Sequence, residues 1–114
     1  PVIYFRRTAT KDTKIGEQSI SKGDKVVMWY GAANRDEDIF KDAHLFRVDR
    51  ENAKLHLAFG AGEHLCLGNR LGHMQIKILF EELLRSFPDI KVISEPIRIP
   101  SNFLDSISHL QVQI

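Results

Sequence analysis

The single cysteine of the chain, Cys66, most constrains what this sequence can build, because it lies in a glycine-rich stretch that opens onto the strongest helical pattern. One cysteine cannot form an internal disulfide, and one neighbouring histidine is too little for a closed zinc site. Gly60 and Gly62 allow a tight turn before the sulfur, and Gly68 removes a side chain just after it. The N–H groups at the start of the following helix would favour a thiolate. The stretch therefore predicts a loop that presents one thiolate.

A lone thiolate on a loop cleared of side chains suits haem iron, because the backbone can approach the whole face of the macrocycle. Three other interpretations compete with this one. A buried free cysteine is usually an inert apolar residue. His64 and Cys66 could belong to a larger metal site, or His64 could serve as the base of a thiol hydrolase. None of these alternatives explains Phe59 and the three glycines together.

The same stretch resembles the haem-binding signature of cytochrome P450 monooxygenases, F-x-x-G-x-(H or R)-x-C-x-G. The matching residues are Phe59, Gly62, His64, Cys66 and Gly68. The resemblance implies haem b as the cofactor, with Cys66 as the axial iron ligand and Phe59 packed beside the thiolate. It assigns haem contacts to Cys66, His64, Arg7, Phe59, Gly60, Gly62, Gly68 and Gly72. Among these, Arg7 and His64 are expected to bind the haem propionates, because an arginine fork holds a carboxylate bidentately.

Composition predicts one small globular unit, because 114 residues with 43% hydrophobic content are too few for two domains. A net charge of +1 predicts neither a nucleic-acid partner nor attraction to a membrane surface. No apolar run is long enough for a membrane anchor. A single cysteine is typical of a reducing compartment, so we expect a cytoplasmic protein. The chain starts without Met in an apolar run, which predicts a longer polypeptide upstream of Pro1.

Local patterns predict short strands, one short helix and one long helix. Strands are expected over residues 1–5, 14–20 (a hairpin of two strands) and 25–30, and later over 90–93, 97–100 and 109–114. The two hairpin strands and residues 25–30 are expected to form a single three-stranded antiparallel sheet. A short helix is predicted over 32–40, with Asn34 and Asp36 as possible caps. Residues 42–56 show no periodicity and predict an irregular loop. Apolar spacing predicts an amphipathic helix from about Leu67 to Phe87, ended by Pro88.

The resemblance extends over the whole chain and implies the C-terminal haem-binding part, residues 1–114, of a single cytochrome P450 domain. The implied fold class is an α+β fragment of a mainly α fold, with antiparallel hairpins, a meander loop, the cysteine loop, a long L helix and a C-terminal hairpin. The meander resembles a P-x-R-F-like segment at residues 43–46 but lacks its arginine. Arg47 is expected to substitute for that arginine, or the buried triad it completes is reduced.

The resemblance further implies insertion of one oxygen atom of O₂ into a C–H bond of a sterol, terpenoid or fatty-acid-like substrate. The residues expected to face that apolar substrate are Val2, Ile3, Tyr4, Asn102, Phe103 and Leu104. Core packing is the competing explanation for the first three. Electrons would come from a ferredoxin-type donor. Arg70, His73 and Lys77 lie where the family docks acidic partners, although an ordinary solvated helix face is the preferred explanation for any one of them.

Two alternatives to the enzyme remain open. The helix that activates oxygen and the upstream E-x-x-R motif of the family are missing from this chain, so the isolated fragment is expected to be inactive. It could then be a truncated, non-catalytic piece. A haem-binding or sensing module without oxygenase activity is the other alternative.

Overall fold

The computed structural model describes residues 2–114, which divide into two compact units, residues 2–58 and residues 59–114. Within these residues, eight short strands pair as four separate two-stranded antiparallel ladders. Two α-helices and two single-turn 3-10 helices complete the secondary structure of the described residues. The α+β class with small hairpins and one long helix is confirmed. Whether residues 1–114 belong to a single domain stays a prediction.

In the first unit, strand β1 (Tyr4–Thr8) pairs antiparallel with β4 (Lys25–Trp29). Between them, β2 (Thr13–Ile15) and β3 (Gln18–Ile20) form the predicted hairpin around Gly16, whose φ is 57°. The single three-stranded sheet was a wrong prediction, because all five residues of β1 pair with β4 and the hairpin forms its own ladder.

Helix α1 (Tyr30–Ala33) follows β4 directly, so the short helix predicted over 32–40 begins earlier and ends much sooner. Asn34 and Asp36, the two residues expected as possible caps at its start, lie at and beyond its end. Asn34 is the C-terminal cap, and its side-chain oxygen accepts a hydrogen bond from the Leu57 amide at 2.6 Å. The Asp36 carboxylate accepts one from the Asp38 amide at 3.0 Å. Such local side-chain bonds give the backbone an alternative to helix.

The irregular loop after α1 is confirmed, with only a 3-10 turn at Ala53–Leu55, and Arg50 holds it together. The half-buried Arg50 guanidinium donates to the carbonyls of Asp42 at 2.6 Å and Leu45 at 2.8 Å, and also to that of Lys41. Asp42 itself adopts a left-handed φ of 53°, which aspartate tolerates better than most residues. Sequence patterns did not single out Arg50.

Arg47, the predicted substitute for the missing arginine, lies on the surface and pairs with Asp49 at 3.0 Å. This hydrogen bond lowers the pKa of the Asp49 carboxyl below its usual range. Because the pKa of Asp49 is lowered, its carboxylate stays ionised at any pH above the usual carboxyl pKa. The ion pair is lost only as the pH falls through the lowered pKa. Both side chains are largely in water, so the pair contributes little to stability.

Arg50→Ala is expected to lower the free energy of unfolding by about 2 kcal/mol, because three carbonyls lose one charged donor. Arg47→Ala is the matched control from the same loop and should change stability little. Urea titration of the longest natural polypeptide that contains this chain measures both. Equal effects of the two substitutions would contradict the assignment of Arg50 as the organising residue.

In the second unit, a 3-10 turn (Gly62–His64) precedes helix α2 (Asn69–Ser86). Helix α2 starts two residues later than predicted, because residues 67 and 68 form a turn, and it ends one residue before Phe87. Strand β6 (Ile97–Ile99) pairs with β7 (Ser106–His109) in the predicted hairpin. Residues 109–114 are not one strand as predicted. His109 ends β7, whereas β8 (Val112–Gln113) pairs with β5 (Lys91–Val92).

Few apolar side chains are covered in either unit. Phe40, at 5% exposure, is the one fully buried apolar residue among those described. Leu71, Met74 and Ile78, on the predicted apolar face of α2, are each about half exposed. None of the helices within residues 2–114 combines the length and apolar character needed to cross a bilayer.

Candidate cofactor site

The loop that carries Cys66 is closed by its own backbone. Gly60 and Gly62 have φ values of 74° and 64°, which side-chain-bearing residues rarely adopt. The Cys66 amide donates to the Phe59 carbonyl at 2.9 Å, and the Leu65 amide donates to the Gly62 carbonyl at 3.1 Å. The glycines therefore serve the predicted purpose of folding the chain sharply before the cysteine.

The sulfur of Cys66 is exposed at the start of α2. A Cβ at Gly68 would lie 3.8 Å from Sγ, in ordinary van der Waals contact, so the absent side chain leaves the surface beside the sulfur open. Leu65 and Leu67 flank the cysteine with 49% and 102% exposure, respectively, and give it an apolar border. The amides of Leu67 and Gly68 donate to no acceptor within residues 2–114. Cys66 thus combines an exposed thiol with two following amides that have no acceptor among residues 2–114.

The ring of Phe59 packs on α2. Its Cζ lies 3.4 Å from the position that a Cβ of Gly72 would take, so the missing side chain at position 72 leaves room for the ring. The ring centroid lies 5.0 Å from that of His73, with the two planes tilted by 45°. This packing gives Gly72 a structural purpose, and its predicted contact with the cofactor stays a prediction.

The two predicted propionate-binding residues belong to different units. His64 is exposed at the end of the 3-10 turn. Arg7 is half-buried on β1, where its guanidinium carbon lies 5.7 Å from the Phe5 ring centroid and Nη1 donates to the Arg6 carbonyl at 3.1 Å. Their roles in binding the propionates stay predictions.

The residues predicted to face substrate lie at the start of the chain and in the β6–β7 connection. Tyr4 opens β1 opposite Trp29, with ring centroids 5.0 Å apart, which agrees with the competing packing explanation. Val2 and Ile3 precede it and are half-buried. Ser101 precedes the other three residues, Asn102, Phe103 and Leu104. Its hydroxyl oxygen accepts hydrogen bonds from the Phe103 amide at 3.2 Å and the Leu104 amide at 3.0 Å. Their contact with a substrate stays a prediction.

Within residues 2–114, no three His, Cys, Asp or Glu side chains come close enough to hold a metal ion. The exposed thiol of Cys66, with an apolar border and a long helix after it, has the features that a single thiolate ligand of a haem needs.

The chain belongs to the Cytochrome P450 family, whose sequence profile matches residues 1–109. It is 46% identical over 112 residues to linalool 8-monooxygenase of Pseudomonas putida and 42% identical over 113 residues to steroid C26-monooxygenase of Mycolicibacterium smegmatis. Each alignment covers 98% of this chain but only 27% and 26% of the relative. The chain thus spans about a quarter of the length of these relatives.

Solved structures agree with the sequence comparison. A cytochrome P450 of Mycobacterium marinum in complex with pseudoionone superposes on all of this chain with a TM-score of 0.93 and 39% identity. A cytochrome P450 of Novosphingobium aromaticivorans superposes on 99% of it with a TM-score of 0.88 and 41% identity. The chain covers 27% and 29% of these two proteins, respectively.

The family implies a haem, and the described residues fit one. The Cys66 thiol is accessible, position 68 carries no side chain, and Leu65 and Leu67 offer apolar surface beside the sulfur. Those features suit a flat apolar ligand with a central metal. A solvated metal ion would instead need several polar side chains, which do not converge among the described residues.

Proposed function

We propose that this chain is the haem-binding part of a longer cytochrome P450 that hydroxylates an apolar substrate. One observation carries the proposal: an exposed cysteine on a glycine-shaped loop, in a chain whose named relatives are monooxygenases and hydroxylases. When bound, haem b would activate O₂, so that one oxygen atom enters a C–H bond and the other leaves as water, with two electrons and two protons consumed.

The residues of this chain would hold and tune that cofactor. Cys66 would bind the iron as a thiolate, whose charge favours cleavage of the O–O bond. The amides of Leu67 and Gly68, which have no other acceptor among residues 2–114, would donate to the sulfur and stabilise its charge. His64 and Arg7 would bind the propionates and set the orientation of the macrocycle.

An apolar substrate fits the names of the relatives, which act on linalool, methyl-branched lipids and steroids. Four of the six predicted contact residues on this chain, Val2, Ile3, Phe103 and Leu104, are themselves apolar, and Tyr4 and Asn102 add two polar groups. We expect a ferredoxin-type protein to supply the electrons and the cytoplasm to be the compartment.

The test is the spectrum of the reduced, CO-bound form of the longest natural polypeptide that contains these residues, followed by turnover with isotopically labelled O₂. A Soret band at the thiolate position and one labelled oxygen atom in the product would support the proposal. A thiolate band without oxygenated product from any terpenoid, fatty acid or steroid would favour the sensing alternative. A histidine-type band would exclude Cys66 as the ligand.

Arg7→Ala is expected to weaken haem retention about tenfold, because a carboxylate of the haem loses a charged hydrogen-bond donor. Arg6→Ala is the matched control, since alternate residues of a strand face opposite sides and Arg6 is exposed whereas Arg7 is half-buried. Rates of haem transfer from each holoprotein to apomyoglobin measure the effect. Equal rates for the wild type and Arg7→Ala would remove Arg7 from the proposed site.

A further inference from the structure

We propose that His73 is a positioning residue for the thiolate ligand, and this inference rests on the proposed function. His73 lies in the second turn of α2, seven residues after Cys66, and contacts both residues that hold the backbone of that cysteine. Its exposed position alone would suggest an ordinary solvated helix residue. The geometry around it indicates a more specific task.

The first route from His73 to the cysteine passes through Phe59. The imidazole and phenyl rings lie 5.0 Å apart between centroids at a tilt of 45°, a favourable separation for aromatic pairs. Gly72 admits the phenyl ring to the helix surface, with 3.4 Å between Phe59 Cζ and the vacant Cβ position. The carbonyl of Phe59 in turn accepts the Cys66 amide at 2.9 Å. Fixing the ring therefore restrains the residue that holds the cysteine N–H.

The second route passes through Asn69. Nδ1 of His73 lies 2.9 Å from the Asn69 carbonyl oxygen, and a proton on this nitrogen would make it the donor. The amide of Asn69 donates to the Cys66 carbonyl at 3.2 Å. The two backbone groups of Cys66 are thus held by Phe59 and Asn69, and one imidazole contacts both of these residues.

Such a double attachment limits how far the sulfur can move relative to α2. An iron–sulfur bond depends on the direction of its ligand, and outer residues that orient a metal ligand commonly change affinity by an order of magnitude or more. The contacts that carry this inference are to Phe59 and Asn69, so the part assigned to the imidazole is positional and not catalytic.

The experiment uses the full-length holoprotein with three substitutions: His73→Ala, His73→Phe and, as control, Gln75→Ala at an exposed position of the same helix. His73→Ala is expected to raise the rate of haem transfer to apomyoglobin about tenfold. It should also speed conversion of the reduced CO complex from the thiolate-type band to the thiol-type band. His73→Phe keeps the ring contact and should recover most of the wild-type behaviour, and Gln75→Ala should match the wild type.

Loss of helix stability cannot produce this pattern, because alanine has a higher helix propensity than histidine. Wild-type behaviour of His73→Ala in both measurements would overturn the inference while leaving the proposed function intact. A wild-type protein without a thiolate-type band would overturn both. If His73→Ala yields no folded protein, His73→Leu replaces it in the comparison. Haem retention in His73→Phe above that in His73→Leu supports the inference, and equal retention overturns it.

Discussion

Cys66→Ser is expected to abolish the thiolate-type band of the reduced CO complex in the full-length protein. Serine replaces the only cysteine with a hydroxyl that does not ionise readily and binds iron poorly. Loss of a residue that only orients a metal ligand can lower activity about 100-fold. The rate of hydroxylation should fall by far more than this in Cys66→Ser, because the metal ligand itself is removed. Absorption spectra and product formation by chromatography measure the two effects.

Ala61→Ser provides the matched control, since it introduces the same hydroxyl into the same loop at an exposed position. Residue 61 precedes the 3-10 turn and its side chain makes no hydrogen bond. This control should keep both the band and the activity. A Cys66→Ser protein with an unchanged spectrum would show that another atom binds the iron and would end the haem-thiolate assignment.

The isolated chain of residues 1–114 is expected to unfold without a cooperative transition and to hold little haem. Burial of apolar surface is the main favourable term in folding, and here it is small. Trp29, Leu71 and Phe80 are each more than half exposed, and Phe46 is 96% exposed. Proteins with so little buried surface resemble loosely packed compact states rather than a unique fold.

Differential scanning calorimetry tests whether the fragment unfolds cooperatively, with the longest natural polypeptide as control. Haem titration followed by gel filtration measures how much haem the fragment holds. A sharp heat-absorption peak and one tightly held haem per fragment would contradict both expectations. Such a result would also favour an independent haem-binding module over a part of a larger enzyme.

The cysteine loop was predictable from sequence because its chemistry is local. A positive φ at Gly60 and Gly62 and the close approach at Gly68 depend on residues within ten positions of one another. The β2–β3 hairpin and helix α2 were predictable for the same reason, since turn residues and apolar spacing act over a few residues. Roles for His64 and Arg7 came from family resemblance and stay predictions.

Other features depended on partners that sequence patterns do not reveal. Arg47 was chosen for its place beside a motif, whereas the loop carbonyls, including that of the left-handed Asp42, are bound by Arg50. Likewise, Asn34 looks like a helix-starting residue, but its side chain is occupied by the amide of Leu57, 23 residues away. Local propensity cannot anticipate such distant acceptors and donors.

Residue order along a few turns of chain was enough to specify a thiolate loop ahead of an amphipathic helix, because steric freedom at glycine and the helical repeat are short-range properties. Three-dimensional packing was needed to pair β1 with β4 and to bring His73 against Phe59. It also placed an arginine among loop carbonyls. These arrangements join residues separated by many positions, and which of them meet depends on the free energy of the whole folded chain.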